Sequence, residues 1–443
     1  MKLGLIAMSG VRVHNSELMA LGLTLPGFVE RSRVIASLPS LGLLTLAGMT
    51  PESVDTKYLE VSDIAQVEGV PEEFDAVAIS SFSAQIGEAY ALADRYRSLG
   101  TKVILGGLHV SAVPDEAAAH ADAIVVGEGE TVWPRVMADL TAPGGELAKI
   151  YDARGQNFDL NQSPMPRVEL LDPERYNRRT VQTQRGCPFR CEFCAASMRI
   201  SPTYKTKPVE RVMAEIRRIK TLWKSPFIEF ADDNTFVNKA HSKRLMQALA
   251  PEHVRWFTET DLSVADDLEL LEMMQDAGCA QVLIGLEGTS FSTLDGVEQR
   301  ANWKARQVDR YMEAIRRIQD RGITVNGCFV LGLDGAGVES FEEIWNFVRE
   351  SGLYEVQITV QTAFPGTPLY DRLKSEGRLL REEAWELCTL FDVNFRPAKM
   401  DVGELEAGLR NLVSRIYSEE FTNQRRAQFY ANYRKIRHAA APN

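Results

Sequence analysis

Short apolar runs alternate with amphipathic helical patterns along most of this chain, and that alternation constrains its fold more than any other feature. Lys2–Met8, Ala76–Ser80, Lys102–Leu105 and Ala123–Val126 have the length and apolar content of strands buried on both faces. Helical patterns such as Leu41–Met49 and Ile86–Leu99 lie between them. Strands separated by helices predict a parallel sheet covered on both sides, here a doubly wound α/β domain over residues 1–140. Ligands of such sheets bind beyond the carboxyl ends of the strands. Those ends read Ser80-Ser81, Gly106-Gly107-Leu108-His109 and Gly127-Glu128-Gly129-Glu130, where glycines serve either close ligand approach or tight strand-to-helix turns.

Residues 141–175, with Pro143-Gly144-Gly145 and Ser163-Pro164-Met165-Pro166, show little periodicity and read as a linker. Alternation then resumes over 176–385. Strands are expected at Val181–Gln184, Phe227–Ala231, Arg255–Thr260, Gln281–Leu286, Thr324–Leu331 and Glu355–Thr362. Six β/α units are too few for a closed eight-unit barrel but enough for an open, partial one, with function on the loops after the strands. Residues 386–443 read as a helical region. Its basic, aromatic end, Arg425–Lys435, fits an amphipathic helix packed on the barrel better than a nucleic-acid surface.

The loop after the first strand of the second unit carries Cys187, Cys191 and Cys194, spaced C-x3-C-x2-C, with no fourth cysteine nearby. Such a trio can hold three corners of a cubane iron–sulfur cluster and leave one iron open to chemistry. Structural zinc would want four closed ligands, and the nearest histidines, His241 and His253, are about 50 residues on. A redox-active thiol set is the third reading, without a thioredoxin-like pattern around it. Phe189 and Phe193 would wall a cluster from water, and Arg185 and Arg190 would offset its negative charge. Cys279, Cys328 and Cys388 read as small buried hydrophobes.

Net charge bears on partners. At −11 the chain does not suit general binding to nucleic acid or membrane, and no apolar run reaches the roughly 18 residues of a span. The short apolar start reads as a first strand rather than a secretory leader, so a reducing, cytoplasmic setting is expected.

The cysteine motif, with an aromatic just before its last cysteine, resembles the signature of the radical S-adenosylmethionine (SAM) enzymes. The resemblance implies a partial (β/α)6 barrel and a four-iron cluster held by Cys187, Cys191 and Cys194. Its open iron would chelate SAM and cleave it reductively to a 5′-deoxyadenosyl radical. By position, Phe193 would lie near the adenine, and Asp232-Asp233-Asn234 would meet the methionine ammonium. Glu259 and Glu287 would contact ribose or substrate, and Phe329, in the fifth strand, would pack the adenine.

The N-terminal stretch is similar to the cobalamin-binding domain that precedes the barrel in one large subclass. That implies cobalamin near Ser80, Ser81, Gly106, Gly107, His109, Gly127, Glu128 and Gly129. The loop Ser9–Asn15 does not match the Asp-x-His-x-x-Gly pattern that supplies a cobalt-ligating histidine, so the resemblance names no lower ligand. The reaction it implies is modification of a small molecule by hydrogen abstraction, foremost cobalamin-dependent methylation in biosynthesis. The alternative is a non-methylating radical reaction (dehydration, rearrangement, cyclisation or transfer of another SAM-derived group) beside a vestigial first domain. Either needs an external electron donor such as flavodoxin or ferredoxin.

Overall fold

The computed structural model describes residues 1–20, 38–196, 200–201 and 203–440. In chain order its strands are β1 (Lys2–Met8), β2 (Asp55–Val61), β3 (Ala76–Ser80), β4 (Lys102–Gly106), β5 (Ala123–Val126), β6 (Ile150–Asp152), β7 (Arg179–Val181), β8 (Gln184–Arg185), β9 (Lys205–Thr206), β10 (Phe227–Phe230), β11 (Arg255–Thr260), β12 (Cys279–Glu287), β13 (Thr324–Leu331) and β14 (Glu355–Val360). They form two six-stranded sheets and one two-stranded ribbon.

The first sheet runs β2-β1-β3-β4-β5-β6, every pairing parallel. The order reverses at β1, so a crevice opens beyond the carboxyl ends of β1 and β3. Its central strands are apolar throughout because helices cover both faces. One of these, Ile86–Ser98, buries Ala89, Leu92, Ala93 and Tyr96. Two strands carry little sequence signal. β2 is an edge strand whose polar residues alternate with buried Thr56 and Tyr58, and β6 is three residues long within the stretch read as a linker.

The second sheet runs β14-β13-β12-β11-β10-β7, again all parallel. β7 and β14 remain unpaired edges, so the barrel is open, as the six-unit count predicts. The strand expected at Val181–Gln184 divides in two. β7 joins the sheet, and β8 turns away to pair antiparallel with β9, Arg185 opposite Lys205. The cysteine loop hangs from that ribbon.

Two long helices follow the barrel. Val402–Ile416 starts with a reciprocal capping box between Asp401 and Glu404. Glu419–Ala440 packs against the amino ends of the strands, with Arg426 paired to Glu355 at 2.9 Å and Tyr433 beside Gly322. Arg426 of its basic face is therefore committed to the barrel. Among the described residues no helix is long and apolar enough to cross a membrane.

Candidate functional site

A cavity of about 440 Å³ opens at the carboxyl ends of the barrel strands and is lined by Cys187, Cys191 and Cys194. Among the described residues no three His, Cys, Asp or Glu side chains are gathered closely enough to hold a single ion. A cubane carries its irons at separate corners, so its thiolates stand further apart than the ligands of one ion. Three thiols from one loop on the cavity rim are the donor set of a cubane with one open iron. Phe193 lines the same cavity, and Phe189 stacks on Trp303 at 4.7 Å, forming an apolar wall beside the thiols.

The loop is clamped on several sides. Gly186 takes φ +85°, and a Cβ there would stand 2.9 Å from the Thr203 carbonyl oxygen, so glycine is required. The Gly186 N–H donates to Asp233 at 3.0 Å. From the loop after β12, buried Glu298 accepts the backbone N–H groups of Arg190, Arg300, Ala301 and Trp303. Arg372 pairs with Glu192 at 2.6 Å. Nothing in the motif spacing points to Glu298, Trp303 or Arg372, which reach the loop from more than 100 residues away.

The strand-end residues divide into two groups. Asp233, Asn234, Glu259 and Glu287 line the cavity. Asn234 donates to Asp261 at 2.7 Å and approaches the Cys187 sulfur at 3.9 Å. Glu259 hangs in the cavity with its carboxyl pushed up to about 8, first by burial and then by Glu229, Asp233 and Glu287. Glu287, in the left-handed region at φ +65°, pairs with Lys304 at 2.6 Å, and the Lys304 ammonium is held protonated by Glu287 and Cys191.

Asp232 is a correction. Its carboxylate accepts from the Thr183 N–H and hydroxyl, the Gln184 N–H and the Thr235 hydroxyl. It holds the barrel's first turn and has no capacity left for a ligand; burial lifts its pKa to about 6 against those bonds. Phe329 is a second correction. Successive strand residues face opposite sides, so Cys328 and Val330 line the cavity while Phe329 is fully buried against Phe347 of the helix Glu339–Ser351. Cys328 is accordingly a cavity residue rather than a core one.

Arg185 is a third correction. Its guanidinium is neutralised by Glu128 at 2.8 Å and Glu130 at 2.6 Å, so it adds no free charge beside the thiols. Glu128, expected at the cobalamin site, is fully buried in that pairing and faces the barrel.

The other residues expected at cobalamin stand at the carboxyl edge of the first sheet. Ser80, Ser81, Gly106 and Gly107 end β3 and β4; Gly127 and Gly129 follow β5. His109 lies behind the edge, with Nδ1 3.0 Å from Ser83 and burial holding it neutral, its pKa lowered to about 4. The cavity in this crevice, about 620 Å³, is lined instead by residues after β1 and β3 (Arg12, His14, Gln85, Tyr90), by Glu116, and by Trp385 of a strap running 383–394. The unpaired buried atoms Ser9 Oγ and His109 Nε2 lie near it. The strap reaches both cavities: Leu390 lines the cysteine cavity, and Asp392 accepts from the His14 and Asn15 N–H groups.

A doubly wound parallel sheet ahead of an open six-stranded barrel, with three thiols on a loop after the barrel's first strand, defines a radical-generating iron–sulfur enzyme fold. The family models agree in order and place. The Radical SAM superfamily matches residues 181–350, a B12 binding domain matches 33–137, and a domain of unknown function matches 367–443. Residues 181–350 are thus a radical SAM domain, preceded by a B12-binding domain at 33–137.

It is 29% identical to an uncharacterised methyltransferase of Synechocystis over 82% of this chain and 68% of that one. It is 27% identical to the bacteriochlorophyllide d C-8(2)-methyltransferase of Chlorobaculum tepidum over 71% of each. In fold it resembles the radical SAM methyltransferase TsrM of Kitasatospora setae, solved with cobalamin and a [4Fe-4S] cluster bound, with a TM-score of 0.66 and 14% identity over 99% of both chains.

Proposed function

We propose that this protein is a cobalamin-dependent radical SAM methyltransferase acting on a small molecule in a biosynthetic pathway, and that residues 1–140, 176–385 and 386–443 are its three structural units. The observation that carries this reading is the pair of cavities, one rimmed by three thiols and one in the crevice of a nucleotide-type sheet, both reached by the strap 383–394. Bound there, a four-iron cluster with SAM would supply a carbon-centred radical and cobalamin a methyl carrier. The crevice volume lies within the range of cofactor sites, and Arg12, Gln85 and Tyr90 give its wall polar groups.

The chain's own residues bind, orient and shield. Cys187, Cys191 and Cys194 hold the cluster, and Phe189, Phe193 and Trp303 keep water from it. Asp233 and Asn234 would hold the ammonium of SAM, and Lys304 and Glu287 would take its carboxylate and ribose. The Glu259 carboxyl, its pKa pushed up by burial and then by Glu229, Asp233 and Glu287, would meet the ribose or the substrate from the cavity wall. Electrons come from an external carrier protein.

The test is anaerobic reconstitution. One four-iron cluster per chain, 5′-deoxyadenosine formed from SAM on reduction, and cobalamin recovered by its visible spectrum are expected. Replacing Cys187, Cys191 and Cys194 with Ala should remove the first two. A cluster retained in that triple variant overturns the cluster assignment, and no cobalamin uptake at saturating supply overturns the methylation reading.

A further inference from the structure

We infer that Glu128 is a latch: from the first sheet it closes the neck of the cysteine loop and so couples the two cofactor sites. The inference rests on the cluster and cobalamin reading above. The loop bearing all three cysteines leaves the ribbon at Arg185 and returns at Lys205, which face each other across the β8–β9 pair. One carboxylate holds both ends. Glu128 accepts from Arg185 Nη1 at 2.8 Å and from Lys205 Nζ at 2.6 Å, and also takes the Phe158 N–H at 2.9 Å. Glu130 takes the second arm of Arg185 at 2.6 Å. Two acids and two bases balance, with the Glu128 side chain fully buried and Arg185 and Lys205 at 10% and 12% exposure. Removing Glu128 would leave Lys205 without a carboxylate away from water and Arg185 held by Glu130 alone, which is far costlier than losing a surface pair.

The latch is tied at its other end to the strand-end loops of the first sheet. The Gly127 N–H donates to Ser111 Oγ at 2.9 Å, and that hydroxyl donates to the Gly107 carbonyl at 2.8 Å. Gly127 itself, at φ +86°, packs so closely on the Ala153 backbone that a Cβ would stand 3.1 Å from it. The loops after β4 and β5 and the neck of the cysteine loop thus form one connected, tightly packed unit. The short helix Leu108–Ala112 carries this unit to the crevice wall, where His109 packs on Trp385 at 5.3 Å and faces Glu116 at 3.7 Å, so order gained at the neck or in the crevice would be felt at the other. Such coupling is reciprocal. Glu128 acts through Arg185 and Lys205 and is a positioning residue.

The experiment compares hydroxocobalamin affinity in iron-free and cluster-loaded protein, followed by the cobalamin absorbance, for wild type, Glu128→Gln and Glu130→Gln. In wild type the loaded protein should bind at least about five-fold more tightly, the lower end of ordinary coupling. In Glu128→Gln that ratio should fall to about one, and the cluster midpoint potential should move positive because the neck, with only Glu130 left against Arg185 and Lys205, has lost one negative charge. Glu130→Gln, which keeps the neck closed but frees one arm of Arg185, should fall between. A ratio of one in wild type overturns the inference. So does an unchanged ratio in Glu128→Gln, or, where that variant does not fold, an unchanged ratio and potential in Glu130→Gln. Wild type that takes up no cobalamin in either state overturns the cofactor reading as well, and that pattern is distinct from equal uptake in both states.

Discussion

Glu259 hangs in a cavity crowded with carboxylates, and ionising it costs the fold stability. Its pKa rises from 4.5 in the unfolded chain to about 8 in the folded one. Between those values the folded state keeps a proton that the unfolded state has lost, so stability falls as pH rises through the window. Glu259→Gln should flatten that fall, read as a smaller loss of Tm from about pH 5 to about pH 9. The β13 pair Phe329 and Val330 gives a second prediction. Phe329→Leu should cost about 1 kcal/mol of stability and leave SAM binding unchanged. Val330→Phe should fill the cavity and lower 5′-deoxyadenosine formation at least about ten-fold, or about 1.4 kcal/mol. At this scale the sequence identified the strand but not its parity. An apolar run buried on both faces looks the same whichever residues point inward, and only the register against β12 and β14 decides. Asp232 and Asp233 show the same limit. They are adjacent acids at one strand end, yet one is consumed by backbone donors and the other faces the cavity.

The cysteine loop was legible as an element because its spacing is local, and the six β/α units were legible because period-2 and period-3.6 patterns alternate over long stretches. The supports of the loop were not. Glu298 lies 108 residues from Arg190, whose N–H it accepts, and no periodicity marks it. Each of its oxygens takes two backbone N–H groups, so Glu298→Gln places an amide donor against two donors. That should cost about 1–3 kcal/mol of local stability, seen as faster loss of iron to a chelator while the far-UV spectrum stays unchanged. The β8–β9 ribbon escaped notice for a related reason. Each strand has two residues, and their pairing closes a long loop that no sequence window spans.

Across the whole molecule, the strap 383–394 joins what the alternating patterns describe as separate units. Trp385 donates to Glu116 at 3.0 Å, the Val360 N–H bonds to the Leu390 carbonyl at 2.7 Å, and Asp392 holds two N–H groups of the β1 loop. Asp392→Ala should leave those donors and the Thr389 hydroxyl unpaired, cost about 1–3 kcal/mol, and weaken cobalamin uptake more than iron uptake. The strap also sets an order of events in the cell. His14 and Asp392 are 378 residues apart, so the first sheet is synthesised long before the segment that completes the wall of its crevice. During synthesis the crevice stands open on that side, and its final shape waits for the barrel. A ligand held against that wall would therefore be kept only once the late half of the chain has folded onto the early half.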